Sequence, residues 1–265
     1  MSTLKAAFIR LLKYLQTTRG YLTSIVLFLI AYHILSMVVN NDDFLPKFTT
    51  IYHYFNFLIA YNFLQISIMD SLKRIMEGYL VGTSLGIVFG LLMGLNSKVD
   101  LILGIPVNFL RFIPALALFP LLILWFGAGE TSIVSLLLIA AFLSTTVGVY
   151  SAVKNVNIVH IQAAQTLGIY GNRKLFLTKV IIPATIPGIF VAMRLSLMAV
   201  WTSIVAAELI GAPSGLGYLL SVGRIFTSVA TMFISIAFIA LLAGITDGII
   251  KMFYWRATRW MKRSI

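Results

Sequence analysis

The sequence predicts an all-α membrane protein with about six transmembrane helices. Hydrophobic residues make up 60% of the 265-residue chain, charged residues only 11%, and the mean hydropathy is +0.99. A soluble domain carries about 25% charged residues, so this chain has too few to cover a globule in water. The second observation is where the charges fall. A net charge of +12 would by itself suit a nucleic-acid partner. Here the basic residues cluster in short stretches between apolar runs, which is the pattern that orients membrane proteins, and no nucleic-acid role is expected.

Taken in order, residues 1–20 place Leu4, Phe8, Leu11, Leu12 and Leu15 at helical spacing among Lys5, Arg10 and Lys13. They form either a helix lying in the cytoplasmic interface or a plain charged flank. The run Tyr21–Val39 is long for a signal-peptide core and no small-residue cleavage site follows, so it reads as an uncleaved first span. With the outer stretch after it, this span forms the unit 21–69. Residues 40–70 are polar, with Asp42, Asp43 and Pro46, and contain Phe55–Leu64, too short to span; a surface helix fits.

The stretches 74–95, 131–150, 185–210 and 228–250 each hold the roughly 20 apolar residues a spanning helix needs. The remaining apolar stretch, 101–127, carries Arg111 and three prolines, Pro106, Pro114 and Pro120. Proline removes a backbone donor and kinks a helix, so this span should be broken and packed inside protein. Residues 70–255 form the main transmembrane domain. The tail 256–265 is basic; Arg256, Arg259, Lys262 and Arg263 interleave with Tyr254, Trp255 and Trp260 as a headgroup belt.

Six spans put both termini on one side. Lys and Arg number fourteen in 1–20, 95–100, 151–182 and 251–265, against two in 40–70, 126–130 and 211–224. The termini and the 151–182 loop are therefore expected in the cytoplasm, with the chain in a bacterial plasma (inner) membrane.

Within the spans, Gly78, Gly82, Gly86, Gly90 and Gly94 recur every four residues. On a helix they form one stripe that admits a close neighbour, either as ordinary tight packing or as a rigid seam beside a transport path. Arg194 lies nine residues past Thr185, about 13 Å into its span at 1.5 Å per residue, and Arg111 lies midway along the broken span. Intramembrane arginines either line a path for an anion or bond backbone carbonyls and snorkel, and both readings stay open. Glu130, Glu208 and Asp247 fall near span ends, where interfacial or inter-helix pairing is expected.

Catalytic and metal chemistry are not expected. The chain has no cysteine, and His33, His53 and His160 are scattered without metal-ligand spacing. No GxxxxGK[ST] or GxSxG is present, so neither a P-loop nor a nucleophile elbow is expected. Residues alone leave a secondary transporter, a channel or a cargo-free scaffold as alternatives. Transporters usually pair interrupted helices across internal repeats, and only one such helix is evident.

The 151–182 loop reads as a short amphipathic helix stopped at Gly168 and restarted before Pro183. Its "IQAAQTLG…VIIPATIPGI" resembles the Glu-Ala-Ala coupling loop of binding-protein-dependent ABC importer permeases. Elsewhere "SLKRIMEGYLVGTSLGIVFGLLMGL", "PVNFLRFIPALALFPLLILWFGAGETS" and "MRLSLMAVWTSIVAAELIGAPSGLGYLL" are similar to the aliphatic sulfonate, taurine, nitrate and bicarbonate branch. The resemblance implies a type I permease core with a cytoplasmic coupling helix, and it implies no cofactor of its own, ATP being used by a partner. The implied partners are two ATPase subunits, an extracytoplasmic solute-binding protein and a second permease copy, usually as a homodimer. Gln162, Ala163, Ala164, Leu167, Gly168 and Pro183 match the coupling motif, with cargo an organosulfonate, taurine or another small oxyanion. Nitrate, bicarbonate or a thiamine-precursor-type solute is the alternative cargo. Two departures stand out: Gln162 replaces the usual glutamate, and the Gly168–Pro183 stretch is about two residues longer than the usual motif.

Overall fold

The computed structural model describes residues 23, 24 and 26–260, so the expected interfacial helix in 1–20 and the basic residues Lys262 and Arg263 lie outside the described residues. Among the described residues every regular element is a helix. The order is α1 (Val26–Val39), α2 (Phe48–Ala60), α3 (Phe63–Leu95), α4 (Ser97–Leu110), a 3₁₀ turn (Ala115–Leu118), α5 (Phe119–Phe126) and α6 (Glu130–Lys154). Then come α7 (Ile158–Thr166), α8 (Arg173–Phe176), a π turn (Leu177–Ile181), α9 (Ile182–Gly211), α10 (Leu216–Ile225) and α11 (Val229–Ala257).

Four helical rods among the described residues are long and apolar enough to cross a membrane: α3, α6, α11 and the continuous 39-residue run Arg173–Gly211. The stretch expected to break does so. Its two halves, Ser97–Leu110 and Ala115–Phe126, meet at 87° and would together make a fifth crossing. Pro114 sits at the bend, where α4 has already ended, so its missing N–H interrupts no helical ladder. The expected first span, 21–39, begins outside the described residues; its described part, α1, is by itself shorter than a crossing.

Two expectations are corrected. The second span does not start at 74: α3 begins at Phe63, because Ser71 and Arg74 sit on a buried stripe with Leu64, Ser67 and Gly78 that continues the helix beyond its apolar part. Asn62, at φ +59°, makes the joint with α2 and splits the short helix expected at Phe55–Leu64. The outer stretch 211–224 is not a plain loop either. It holds α10, whose Leu216, Leu219 and Ser221 are buried against the bundle. At the polar turn before α2, Asp42 accepts from the Lys47 N–H (3.0 Å) and the Thr50 hydroxyl (2.9 Å), which hold its carboxyl below the usual range.

The core centres on α6, which lies between α3 and α9. Ile133, Leu136, Leu137 and Ala141 of α6 are fully buried with Ile75 of α3 and Val200 and Ile204 of α9. The glycine stripe of α3 faces α6 along its whole length. A Cβ on Gly78 would lie 2.5 Å from Leu137 Cβ, one on Gly86 2.7 Å from Thr145 Cβ, and one on Gly94 2.6 Å from Val153 Cβ. Gly148 and Gly188 admit Ala192 and Ala152 in the same way on the α6–α9 side. Small residues let the backbones approach, which is how helices gain dispersion energy where no hydrophobic force acts between them.

Candidate functional site

The loop between α6 and α9 is locally well determined. Asn157 caps α7, its side chain accepting from the Val159 N–H at 3.0 Å. At the far end Gly168 takes φ +69°, a left-handed conformation that glycine adopts without steric cost. The Ile169 N–H then reaches Ala164 O (2.9 Å) and the Gly168 N–H reaches Gln165 O (3.0 Å), a Schellman closure of the helix. Within α7, Gln162 and Ala163 are exposed, as is Leu167 just beyond it, while Ala164 is only 2% exposed. Ala164 thus anchors the helix to its own chain, and Gln162, Ala163 and Leu167 remain as the outward surface.

From Gly168 the chain turns through Tyr170, packed edge-on against Phe176 at 5.1 Å, and restarts at α8, capped by Asn172. The π turn follows and Pro183 opens α9. Proline cannot donate to the carbonyl four residues back, and a π turn shifts the ladder by one residue at that point. From Arg173 onward the chain is therefore a continuous helical rod rather than a slack loop.

At the other end of the bundle lies a charged node that sequence reasoning missed. Arg74 is 1% exposed and holds Glu130 through Nε (2.7 Å) and Nη2 (2.5 Å). Its Nη1 holds Glu208 (2.7 Å) and the Ser214 carbonyl (2.7 Å). Glu208, also 1% exposed, accepts in addition from Ser71 Oγ (2.8 Å) and the Gly217 N–H (2.8 Å), and Ser71 Oγ accepts from the Leu216 N–H (2.9 Å). The inter-helix pairing expected of Glu130 and Glu208 is present, with a common partner. The sequence signal for Arg74 was its place, with Ser71 and Gly78, on one helical stripe.

Arg194 and Arg111, the two candidate path residues, are not brought together. Arg194 forks onto Asp247 of α11, Nε to Oδ1 at 2.6 Å and Nη2 to Oδ2 at 2.8 Å, so its charge is balanced across α9 and α11. Arg111 stands at the end of α4 where the 87° bend begins, its guanidinium 5.2 Å from the centre of the Phe112 ring. It lines a cleft of about 580 Å³ between the bend, α6 and α9, together with Ser144, Thr202 and Ser203. Among the described residues no group of histidine, cysteine or carboxylate side chains could hold a metal ion.

Comparison with known proteins places this arrangement. Residues 82–259, more than half of the chain, match the family described as "Binding-protein-dependent transport system inner membrane component". The chain is 31% identical over 242 residues to a protein of Bacillus subtilis described as an aliphatic sulfonates transport permease, covering 91% of this chain and 87% of that one. It is 36% identical over 190 residues to the taurine transport system permease protein of Escherichia coli, covering 72% and 68%. Among solved structures, an inward-facing form of the MetNI methionine ABC transporter matches with a TM-score of 0.63 at 19% identity, over 74% of this chain and 96% of that one. The fold is therefore that of type I ABC importer permeases. The relatives are permease subunits, with ATP hydrolysis in a separate protein, so this chain is not itself the enzyme. With its broken span, its small capped helix and its family match in agreement, the chain belongs to the binding-protein-dependent permease family, as a multi-pass inner-membrane subunit of an ABC importer.

Proposed function

We propose that the chain forms the translocation path for an organosulfonate, taurine or a similar small oxyanion, as one half of a homodimer. Two ATPase subunits sit beneath α7 on the cytoplasmic side, where both termini also lie, and a solute-binding protein docks at the opposite, Glu130 end. Closure of the ATPases on ATP biases a two-state bundle through α7.

The observation that carries the reading is the construction of α7. It is short, capped at both ends, anchored by Ala164, and joined through the six residues 167–172 to the 39-residue rod Arg173–Gly211. A force on its exposed Gln162, Ala163 and Leu167 reaches the centre of the bundle without passing through a slack linker. Gln162 offers a hydrogen bond where a carboxylate would offer an ion pair, so the contact rests on shape. The printed functions of the sulfonate and taurine permease relatives support the cargo class.

The test is co-purification of the tagged chain with its ATPase, followed by uptake in proteoliposomes with the binding protein. Ala163→Arg, at an exposed position, is expected to cut ATPase recovery at least tenfold while leaving the permease folded. Uptake by the permease alone, driven by an ion gradient without ATP, would mean a secondary transporter instead.

A further inference from the structure

The loop between α6 and α9 divides by chemistry into two parts that are fixed to one another. The first is α7, which carries no aspartate, glutamate, lysine or arginine and exposes Ile158 and Val159, with Leu167 exposed just beyond its end. The second is the stretch 169–179, where Arg173, Lys174 and Lys179 are all exposed. Two backbone bonds and a ring pair join them. The Ile169 and Tyr170 N–H groups both reach Ala164 O inside α7, at 2.9 and 3.3 Å. The Tyr170 ring then packs on Phe176 of α8, 5.1 Å between centres, and Asn172 caps α8 by accepting from the Leu175 N–H at 3.1 Å. The cations therefore sit on the same platform as the apolar knobs of α7.

No acid balances them. Between Glu130 and Glu208 the sequence contains neither aspartate nor glutamate. Among the described residues Arg173, Lys174 and Lys179 pair with no carboxylate. Lys154, the remaining cation of the loop, is committed to Asp100 of α4 at 3.0 Å. Basic residues orient neighbouring spans wherever in a short loop they fall. Topology alone therefore does not call for cations on a capped turn that is tied to the exposed helix. Charges gathered on one surface attract a partner surface of opposite sign and set the rate and salt dependence of its docking.

We propose that the ATPase subunit meets this platform with an apolar pocket for α7 and an acidic rim for Arg173, Lys174 and Lys179. The inference rests on the importer reading and deepens it by naming the partner's chemistry. It also reverses the polarity of the contact. A glutamate at position 162 would ask the partner for a cation, whereas Gln162 with these three cations beside it asks for carboxylates. Shape at α7 seats the partner, and charge at α8 draws it in.

The test is binding of the separately purified ATPase to the full-length permease in lipid nanodiscs, followed across salt concentration. Affinity is expected to fall at least about tenfold between about 0.05 and 0.5 M salt. Arg173→Glu combined with Lys174→Glu should cut low-salt affinity at least about tenfold and flatten the salt dependence. Arg173→Lys with Lys174→Arg should keep both, and Gln162→Glu should not strengthen binding. Melting temperatures should match the unaltered chain, because the substituted side chains are exposed. Salt-independent binding, full affinity in the double reversal, or tighter binding by Gln162→Glu overturns the acidic rim. So does a loss in the double reversal that appears only in nanodiscs containing phosphatidylglycerol and not in phosphatidylcholine alone, since the cations would then be gripping headgroups. No binding by the unaltered chain at any salt concentration removes the importer reading, and this proposal with it.

Discussion

At the scale of single residues, the Arg74 node should dominate stability. Arg74 is shared by two carboxylates of very different exposure, Glu208 at 1% and Glu130 at 60%. Removing the cation strands Glu208 inside protein, and breaking a buried pair from one side costs about 3–5 kcal/mol. Arg74→Met is therefore expected to lower the melting temperature of the detergent-solubilised chain sharply or to abolish its recovery. Glu130→Gln leaves the Arg74–Glu208 pair intact and removes only an exposed partner, worth about 1 kcal/mol or less. Equal losses in the two variants would show that the node is not organised around Glu208. This network was only partly legible in the sequence. That Glu130 and Glu208 pair between helices could be expected from their places at span ends, but their partner lies 56 and 134 residues away, and nothing local points from one to the other.

At the scale of helices, period and composition carried most of the information. The four-residue glycine spacing marked a face for close approach, and of the three prolines Pro114 marked the break, while Pro106 stays inside α4 and Pro120 opens α5. Gly86 and Gly248 make the contrast testable. A Cβ at Gly86 would meet Thr145 Cβ at 2.7 Å and Phe142 O at 2.9 Å, whereas around Gly248 nothing lies within 4 Å. Gly86→Ala should cost about 1–3 kcal/mol by overpacking. Gly248→Ala should be neutral or stabilising by up to about 1 kcal/mol, because alanine favours a helix interior. Thermal melting of the two variants side by side checks this, and equal effects would remove the seam as a constraint. What the sequence hid at this scale was the reach of α3 and the existence of α10. Both depend on burial of polar, small or glycine residues against neighbours, which a hydropathy window does not register.

At the scale of the whole molecule, the proposed orientation rests on the partition of fourteen basic residues against two. The absence of cysteine allows a direct check, since single cysteines can be placed without first removing native ones. Gly171→Cys, in the loop before α8 with open space around it, should react with a membrane-impermeant thiol reagent only in inverted vesicles. Asp43→Cys, exposed in the polar turn before α2, should react only from outside intact cells. The reverse pattern would overturn the topology. Family membership was legible before any coordinates, because several motifs stood in order along the chain. The balance of charge between Arg111 and Arg194 was not, since it depends on whether an aspartate from α11 reaches one of them.

The α3–α6 seam bears on how such a bundle can move. Where backbones touch through five glycines there is no layer of flexible side chains to act as a bearing, so sliding would drive Cα atoms into one another. The two helices should therefore travel as a single beam. Freedom to pivot is found instead just ahead of that beam, at Gly127 and Gly129, with φ +80° and +149° and nothing within 4 Å of either. The alternation between open and closed faces then becomes a problem of one fulcrum and one girder. Spin labels on α3 and α6 should keep a fixed separation through the ATP cycle, while a label on α5 moves against both.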